Sequence, residues 1–196
     1  MYGHLIEEML LLFVRLAGHT VTHEQAEAEV QGIKGSMDCK IDGEVVDVKT
    51  ASGYAFKKFK EGTLSEDDAF GYLSQLAGYE AAEGTSKGGF LVMNKETGEL
   101  CTYIPDDIEK PNIVSKIDNI KELIVKDTPP EFCYTPVAEG LSGNMKLAKN
   151  CGWCPHKIEC HKDSNEGKGL RAFKYAKGPV YFTTVTKEPK VEEIKL

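Results

Sequence analysis

The dipeptide Asp42-Gly43 is the feature that most constrains this chain, because it predicts a tight β-hairpin. Both central residues of the turn favoured in two-residue hairpins need positive φ angles, which aspartate and glycine tolerate. The flanking residues predict strands over 34–41 and 44–50. A two-residue loop then sets the register, with these cross-strand partners: Ile41 with Glu44, Lys40 with Val45, Cys39 with Val46, and Asp38 with Asp47.

That register predicts two carboxylates, Asp38 and Asp47, opposite each other on one face, with Lys49 on the same face. Like charges so placed destabilise a sheet unless a divalent cation binds them. Two carboxylates, Mg²⁺ or Mn²⁺ and a lysine suit phosphodiester hydrolysis, because the cation polarises the phosphate and the lysine positions water or stabilises developing charge. The alternative is an exposed acidic hairpin with a solvated lysine.

A second motif lies on a helix predicted downstream of the hairpin. Gln75 and Tyr79 are four residues apart and therefore share one helix face, a spacing that also suits the polar edge of an ordinary amphipathic helix. The motifs Gly35-x-x-Asp38, Asp47-x-Lys49 and Gln75-x-x-x-Tyr79, in this order, resemble the RecB-type branch of the PD-(D/E)XK nuclease superfamily.

The resemblance implies an α/β fold with a restriction-endonuclease-like core, in which helices flank a small mixed sheet, and it implies a metal-dependent DNase. The roles it implies are cation binding by Asp38, Asp47 and the Val48 carbonyl, positioning or activation of water by Lys49, and orientation of DNA or of the lysine by Gln75 and Tyr79.

The expected activity is an exonuclease acting on the ends of single- or double-stranded DNA. Its expected setting is DNA recombination, repair or replication, because the small stand-alone format resembles phage nucleases. A structure-specific endonuclease and an end-trimming nuclease are alternatives of the same class. A non-catalytic, metal-stabilised DNA-binding module is the alternative of another class.

Residues 3–17 predict an amphipathic N-terminal helix, with apolar residues at helical spacing: Leu5, Met9, Leu12, Phe13 and Leu16. His4 and Glu8 share one face of this helix. In the RecB-type branch such a helix supplies a histidine or glutamate to the metal, so the resemblance implies Glu8 as the better ligand and His4 as the second. The alternative for the acidic residues is a favourable charge near the helix N-terminus.

Three closely spaced cysteines, Cys151, Cys154 and Cys160, predict a metal site, either Zn²⁺ or an iron–sulfur cluster such as 4Fe–4S. The spacing is similar to that of the iron–sulfur members of the RecB-type group, such as AddB and the CRISPR-adaptation nucleases. In those proteins a fourth cysteine usually precedes the nuclease core, but here no cysteine precedes Cys39. Cys133 is the expected substitute, with two histidines as further options that would favour zinc: His156 and His161.

The remaining cysteines, Cys39 and Cys101, fall in predicted strands and are expected in the core.

The chain has 196 residues and a net charge of −7, which is unlike a protein that coats DNA without sequence preference. Residues 144–178, however, hold eight basic and three acidic residues, so this segment is the expected DNA-backbone surface. A second basic candidate is Lys57, Lys58 and Lys60, interleaved with Tyr54, Phe56 and Phe59.

The longest apolar run is too short to span a membrane, and with no targeting segment evident a cytoplasmic location, in a bacterium or a phage-infected host, is expected. The sequence does not indicate an oligomeric state.

We expect a nuclease core over residues 1–130, a loop-rich cysteine-cluster lobe over 131–178 and a C-terminal tail over 179–196. Further expected elements are an opening strand over 20–30, helices over 53–61, 65–83 and 106–126, a hairpin of strands 88–94 and 99–104, and an edge strand in the tail followed by a disordered end.

Overall fold

The predicted hairpin is present in the computed structural model, which describes residues 2–126, 128 and 130–196. Asp42 and Gly43 have φ angles of 51° and 91°. The pairs Cys39–Val46, Lys40–Val45 and Ile41–Glu44 confirm the register. The chain folds as two units, residues 1–126 and 127–196.

The first unit alternates helices and strands around one main sheet. Its elements are α1 (Tyr2–Leu16), β1 (Val21–Thr22), β2 (Ala26–Val30), β3 (Ile33–Met37), β4 (Cys39–Ile41), β5 (Glu44–Ala51), α2 (Gly53–Lys60), α3 (Tyr72–Glu83), β6 (Gly89–Asn94), β7 (Leu100–Tyr103) and α4 (Ile113–Ile124). Short 3₁₀ turns at Leu64–Glu66 and Asp107–Glu109 precede α3 and α4.

The main sheet is mixed, with strand order β1-β4-β5-β6-β7. Strands β5 and β6 are parallel, with α2 and α3 in the connection between them, and the other neighbours are antiparallel. Parallel neighbours need such a crossover, which covers a face of the sheet with helix. A mixed sheet with packed helices is the expected α/β architecture, and it places β5 between two strands at the centre.

The expected strand over 34–41 is interrupted at Asp38. Residues before it form β3, which pairs with β2 in a separate two-stranded sheet through a turn at Gln31-Gly32, where φ is 51° and 79°. Residues after it form β4, which pairs with β5. The single strand expected over 20–30 is likewise divided into β1 and β2. Asp38 therefore lies at a junction between two sheets.

Helix α3 begins later than the sequence suggested. The predicted helix was to begin at residue 65, but Ser65 lies in the 3₁₀ turn and its hydroxyl donates to Glu109. The helix starts after Gly71, whose φ is 72°, and the Asp68 carboxylate accepts hydrogen bonds of 2.9 Å from the N–H groups of the first two helical residues. Asp68 thus meets the capping requirement of this helix.

The buried stripe of α1 differs from the predicted one. Ile6, Leu10 and Leu11 are buried, and the first two pack with Leu91 of β6. Four of the five apolar residues that defined the predicted amphipathic helix are exposed: Leu5, Leu12, Phe13 and Leu16. The helix is therefore rotated about its axis relative to the expectation, which changes the acidic residue that faces the sheet.

The second unit contains more sheet than a loop-rich lobe. Its elements are β8 (Val137–Ala138), β9 (Met145–Lys146), a 3₁₀ turn (Cys151–Trp153), α5 (Lys157–Cys160), α6 (Ser164–Gly167), β10 (Arg171–Tyr175), β11 (Gly178–Thr184) and β12 (Glu193–Ile194). The strand order is β12-β10-β11-β9-β8, so β11 is central, whereas the sequence led us to expect an edge strand there. Among the described helices, none combines the length and the apolar character needed to cross a membrane.

Candidate active site

Asp47, on the central strand β5, is buried with 1% of its surface exposed. Burial raises its pKa to about 7, because the carboxylate loses hydration; nearby Lys49 lowers this pKa and Asp38 raises it by repelling a second negative charge. Lys49 Nζ lies 2.6 Å from Asp47 Oδ2, yet neither oxygen of this carboxylate accepts a well-aligned hydrogen bond from a described residue. A buried carboxylate left in this state is typical of a functional site.

Asp38 meets β5 through its side chain. Its Oδ2 accepts a hydrogen bond of 2.7 Å from the Val48 N–H, and its backbone carbonyl accepts one from Gln25. The predicted pairing of Asp38 with Asp47 lies just beyond the paired residues, which end at Cys39. The two carboxyls nevertheless interact electrostatically. The two predicted carboxylates are therefore brought together by the junction between the two sheets, and not by a continued pairing of the hairpin strands.

Lys49 is held by three side chains. Besides Asp47, its ammonium donates a hydrogen bond of 3.0 Å to Gln75 Oε1 and lies 5.0 Å from the centroid of the Tyr72 ring. Tyr72 and Gln75 are three residues apart and face the sheet together from α3. We did not predict Tyr72, although its spacing from Gln75 was the available signal. These contacts hold the cation of Lys49 beside the buried carboxylate.

The Gln75–Tyr79 pair extends this network to the backbone of β3. Gln75 Nε2 donates to Tyr79 Oη at 3.0 Å, and Tyr79 Oη donates to the Ser36 carbonyl at 2.7 Å. A Cβ at Gly35 would lie 3.3 Å from Tyr79 Cε1, so glycine there lets the ring approach the strand. The first and third sequence motifs therefore contact each other, and together they orient the Gln75 amide towards Lys49.

Glu7, rather than the predicted Glu8, is the acidic residue of α1 that faces the site. Burial raises the pKa of Glu7, and repulsion by Asp38 raises it further. Gln25 Nε2 donates to Glu7 Oε1 at 2.6 Å, and the largely exposed His4 lies 3.5 Å from Glu7 Oε2. Glu8 is exposed, and its charge acts on Arg15. No local sequence pattern distinguished Glu7 from Glu8; Glu7 turns inwards because Ile6 and Leu10 of α1 pack on Leu91 of β6.

The carboxylates fit a hard cation. Within the described ranges no three or more His, Cys, Asp or Glu side chains already form a metal-binding group. Mg²⁺, however, commonly keeps several waters and takes only one or two protein carboxylates together with substrate phosphates. Asp38 and Asp47 form such a pair, and no described residue gives the buried oxygens of Asp47 a well-aligned hydrogen bond. The Val48 carbonyl stays a prediction as a further ligand, as does His4.

The predicted cysteine ligands lie in the second unit. Burial raises the pKa of the Cys151 thiol, and the proximity of three other cysteines raises it further: Cys154, Cys133 and Cys160. His156 is exposed, while His161 is buried and stacks on Phe132 with ring centroids 4.5 Å apart. Cys133, the expected fourth ligand, is thus among the cysteines that interact electrostatically with Cys151. Cys39 is buried, as expected, and Cys101 packs against the core of the first unit.

No protein-family model and no curated protein matches the sequence. Among solved structures, the chain is similar to an alkaline exonuclease (LHK-Exo) from Laribacter hongkongensis, with 14% identity and a TM-score of 0.41 over 62% of this chain and 69% of that chain. It is also similar to SSO0001, with 19% identity and a TM-score of 0.38 over 65% of this chain and 61% of that chain. Neither of these two matches assigns a function to this chain.

Proposed function

We propose that this protein is a metal-dependent DNA nuclease whose active site is built around Asp38, Asp47 and Lys49. The observation that carries the proposal is the buried Asp47 carboxylate, with a second carboxylate and a held lysine beside it. Without a cation this arrangement buries poorly compensated negative charge, which is costly. A bound divalent cation would remove that cost and provide the chemistry of phosphodiester hydrolysis.

In this proposal Asp38 and Asp47 hold Mg²⁺ or Mn²⁺, with the Val48 carbonyl as a further ligand. Bound there, the cation polarises the scissile phosphate and lowers the pKa of a coordinated water. Lys49 donates hydrogen bonds that position water or stabilise the negative charge developing on the phosphate. Its contact with Gln75 supports this role, because a lysine with three fixed neighbours keeps its ammonium in one place.

Glu7 replaces Glu8 as the proposed contribution of α1 to cation binding. Changing Glu7 to Gln is expected to raise the Mn²⁺ concentration for half-maximal cleavage about 10-fold or more, whereas Glu8→Gln leaves it nearly unchanged. The two variants remove the same charge from adjacent residues of one helix, so each controls for the other. Equal effects of both substitutions would contradict the assignment of Glu7.

An exonuclease acting on DNA ends is the first form of the proposed activity. The experiment compares linear DNA, single- and double-stranded and labelled at one end, with covalently closed circular DNA, with Mn²⁺ and without added metal. Metal-dependent degradation of linear DNA that spares closed circles is expected, and the order of labelled products gives the polarity. Cutting of closed circles would replace the exonuclease by the endonuclease alternative.

The remaining alternative is a non-catalytic DNA-binding module. Folded protein that binds DNA but cuts neither linear nor circular substrates with Mg²⁺ or Mn²⁺ would overturn the nuclease proposal in its favour. The presence of both carboxylates and of Lys49 in one connected site supports the nuclease, because a binding module does not need a buried acid beside a fixed lysine.

We further propose that Cys133, Cys151, Cys154 and Cys160 hold Zn²⁺ or a 4Fe–4S cluster that stabilises the second unit. The Cys151 thiol interacts electrostatically with the other three, and thiolates are ligands of both metals. Metal analysis of purified protein distinguishes the two metals. A zinc site gives a colourless protein with one zinc per chain, whereas a 4Fe–4S cluster gives a brown protein that contains iron and sulfide. A folded protein with neither metal would overturn the proposal.

A further inference from the structure

The second unit contains an open groove of about 680 Å³. Four lysines line it, together with Trp153 and Tyr181: Lys146, Lys149, Lys157 and Lys177. None of its described lining residues is acidic. We propose that this groove binds single-stranded nucleic acid, with lysines on the phosphates and Trp153 stacked on a base. The proposal is independent of whether the protein cleaves DNA.

The charge of the groove is available for a ligand. Within the described part of the chain, none of the four lysines forms an ion pair with a carboxylate. Lys146 does act on Glu139, but that carboxylate already accepts hydrogen bonds from Tyr175 and Asn144. Unpaired cations on one concave surface attract a polyanion.

The second basic cluster predicted from the sequence differs in this respect. Lys58 is paired with Asp67, Lys60 with Glu99 and Lys57 with Glu61. The interleaved Phe56 and Phe59 are buried in the core of the first unit. In that cluster the three lysines are paired with carboxylates, and the two phenylalanine rings are not accessible to a base. The groove is therefore the better candidate for binding nucleic acid.

The aromatic residues of the groove favour unpaired bases. Trp153 is 86% exposed, an unusual position for a large apolar ring, and the 3₁₀ turn Cys151–Trp153 presents it at the groove. Lys157 Nζ lies 5.0 Å from the centroid of the Tyr181 ring and donates to the Cys154 carbonyl, so one cation and one ring are already fixed together. Aromatic faces stack on bases only where these are unpaired, whereas lysines contact phosphates of either form.

Trp153 is the single tryptophan of the chain, so its fluorescence reports directly on the groove. The test uses the full chain carrying Lys49→Ala, without added divalent cation, so that bound strands stay intact. The probes are a 15-nucleotide oligothymidylate, the same length of duplex DNA, and oligoglutamate as an acidic peptide. We expect oligothymidylate to quench the fluorescence and to bind with a slope of log K against log salt of about −3, from four phosphate contacts at about 0.7 each.

Variants are compared by the anisotropy of a labelled oligothymidylate. Trp153→Ala should weaken binding about 10-fold or more, while Trp153→Phe keeps much of the affinity because a ring is retained. Replacing Lys149 and Lys177 together by alanine should reduce the salt slope by about 1.4. Lys190→Ala is the matched control, since this exposed lysine of the same unit does not line the groove.

Three results would overturn the inference. One is single-strand binding that leaves Trp153 fluorescence unchanged and resists Trp153→Ala. Another is equal quenching and affinity with oligoglutamate, which would assign the groove to acidic peptides. The third is tighter binding of duplex than of oligothymidylate. Cleavage is measured separately from binding. If the protein cuts DNA but fails this binding test, only the groove proposal is refuted; if it passes the binding test without cutting DNA, only the nuclease proposal is refuted.

Discussion

Replacing Asp47 by asparagine is expected to stabilise the metal-free protein at pH 8 while it removes metal-dependent cleavage. The reason is that the folded state keeps this buried carboxyl with a pKa of about 7, against an ordinary value of 3.8. Each pKa unit corresponds to about 1.4 kcal/mol, so the ionised carboxylate costs the fold about 4 kcal/mol above pH 7. Asparagine has nearly the same shape and carries no charge.

The sign of the pH dependence follows from proton linkage. Between pH 3.8 and about 7 the folded state holds a proton on Asp47 that the unfolded state has released, so stability falls as the pH rises through this interval. Below pH 3.8 both states are protonated and the penalty is absent. The advantage of the asparagine variant should therefore be small at pH 4 and should grow by several kcal/mol towards pH 8.

The assay is urea unfolding of wild-type protein and Asp47→Asn at several pH values, without added Mg²⁺ or Mn²⁺ and without a chelator. Taking the difference between the two proteins at each pH cancels the titration of all other groups. Added Mn²⁺ should stabilise the wild type and leave the variant unchanged. A difference in stability that does not vary between pH 4 and pH 8 would refute the reasoning, because it would mean that burial does not raise the pKa of Asp47.

Three further predictions concern other parts of the molecule. Gly35→Ala should lower the cleavage rate, by up to about 10-fold, because its Cβ would displace the Tyr79 ring; an unchanged rate would contradict that contact. Lys110→Met should lower the free energy of unfolding, measured in urea, by about 3 to 5 kcal/mol, because it leaves the buried Glu80 carboxylate without the ammonium that lies 2.8 Å away. A loss below about 1 kcal/mol would show that Glu80 is hydrated. Cys151→Ser should lower the bound zinc or iron per chain, and an unchanged metal content would exclude Cys151 as a ligand.

The hairpin was predictable because its signal is local. The Asp42-Gly43 turn and the alternation beside it specify the register as far as the pair Cys39–Val46, the last pair before Asp38 and Asp47. The helical spacing of Gln75 and Tyr79 is equally local, and it places both side chains in one hydrogen-bonded network.

The features that could not be predicted depend on contacts distant in sequence. Residues 5–14 are apolar at all but two positions, so several stripes fit the helical period, and packing against β6 selects the one that turns Glu7 inwards. The chain leaves the hairpin at Asp38 because β3 pairs with β2. The central place of β11 depends on its pairing with β9 and β10, which no local pattern specifies.

The most direct test of the proposed active site compares two lysines of the central hairpin. Lys49 and Lys40 have similarly buried side chains, 18% and 17% exposed, and each forms an ion pair, but Lys40 pairs with Glu83 instead of Asp47. With Mn²⁺ and end-labelled linear DNA, Lys49→Ala should reduce the cleavage rate by about 100-fold or more, while Lys40→Ala retains most of it. Equal rates for the two variants, or full activity of Lys49→Ala, would contradict the assignment of the site.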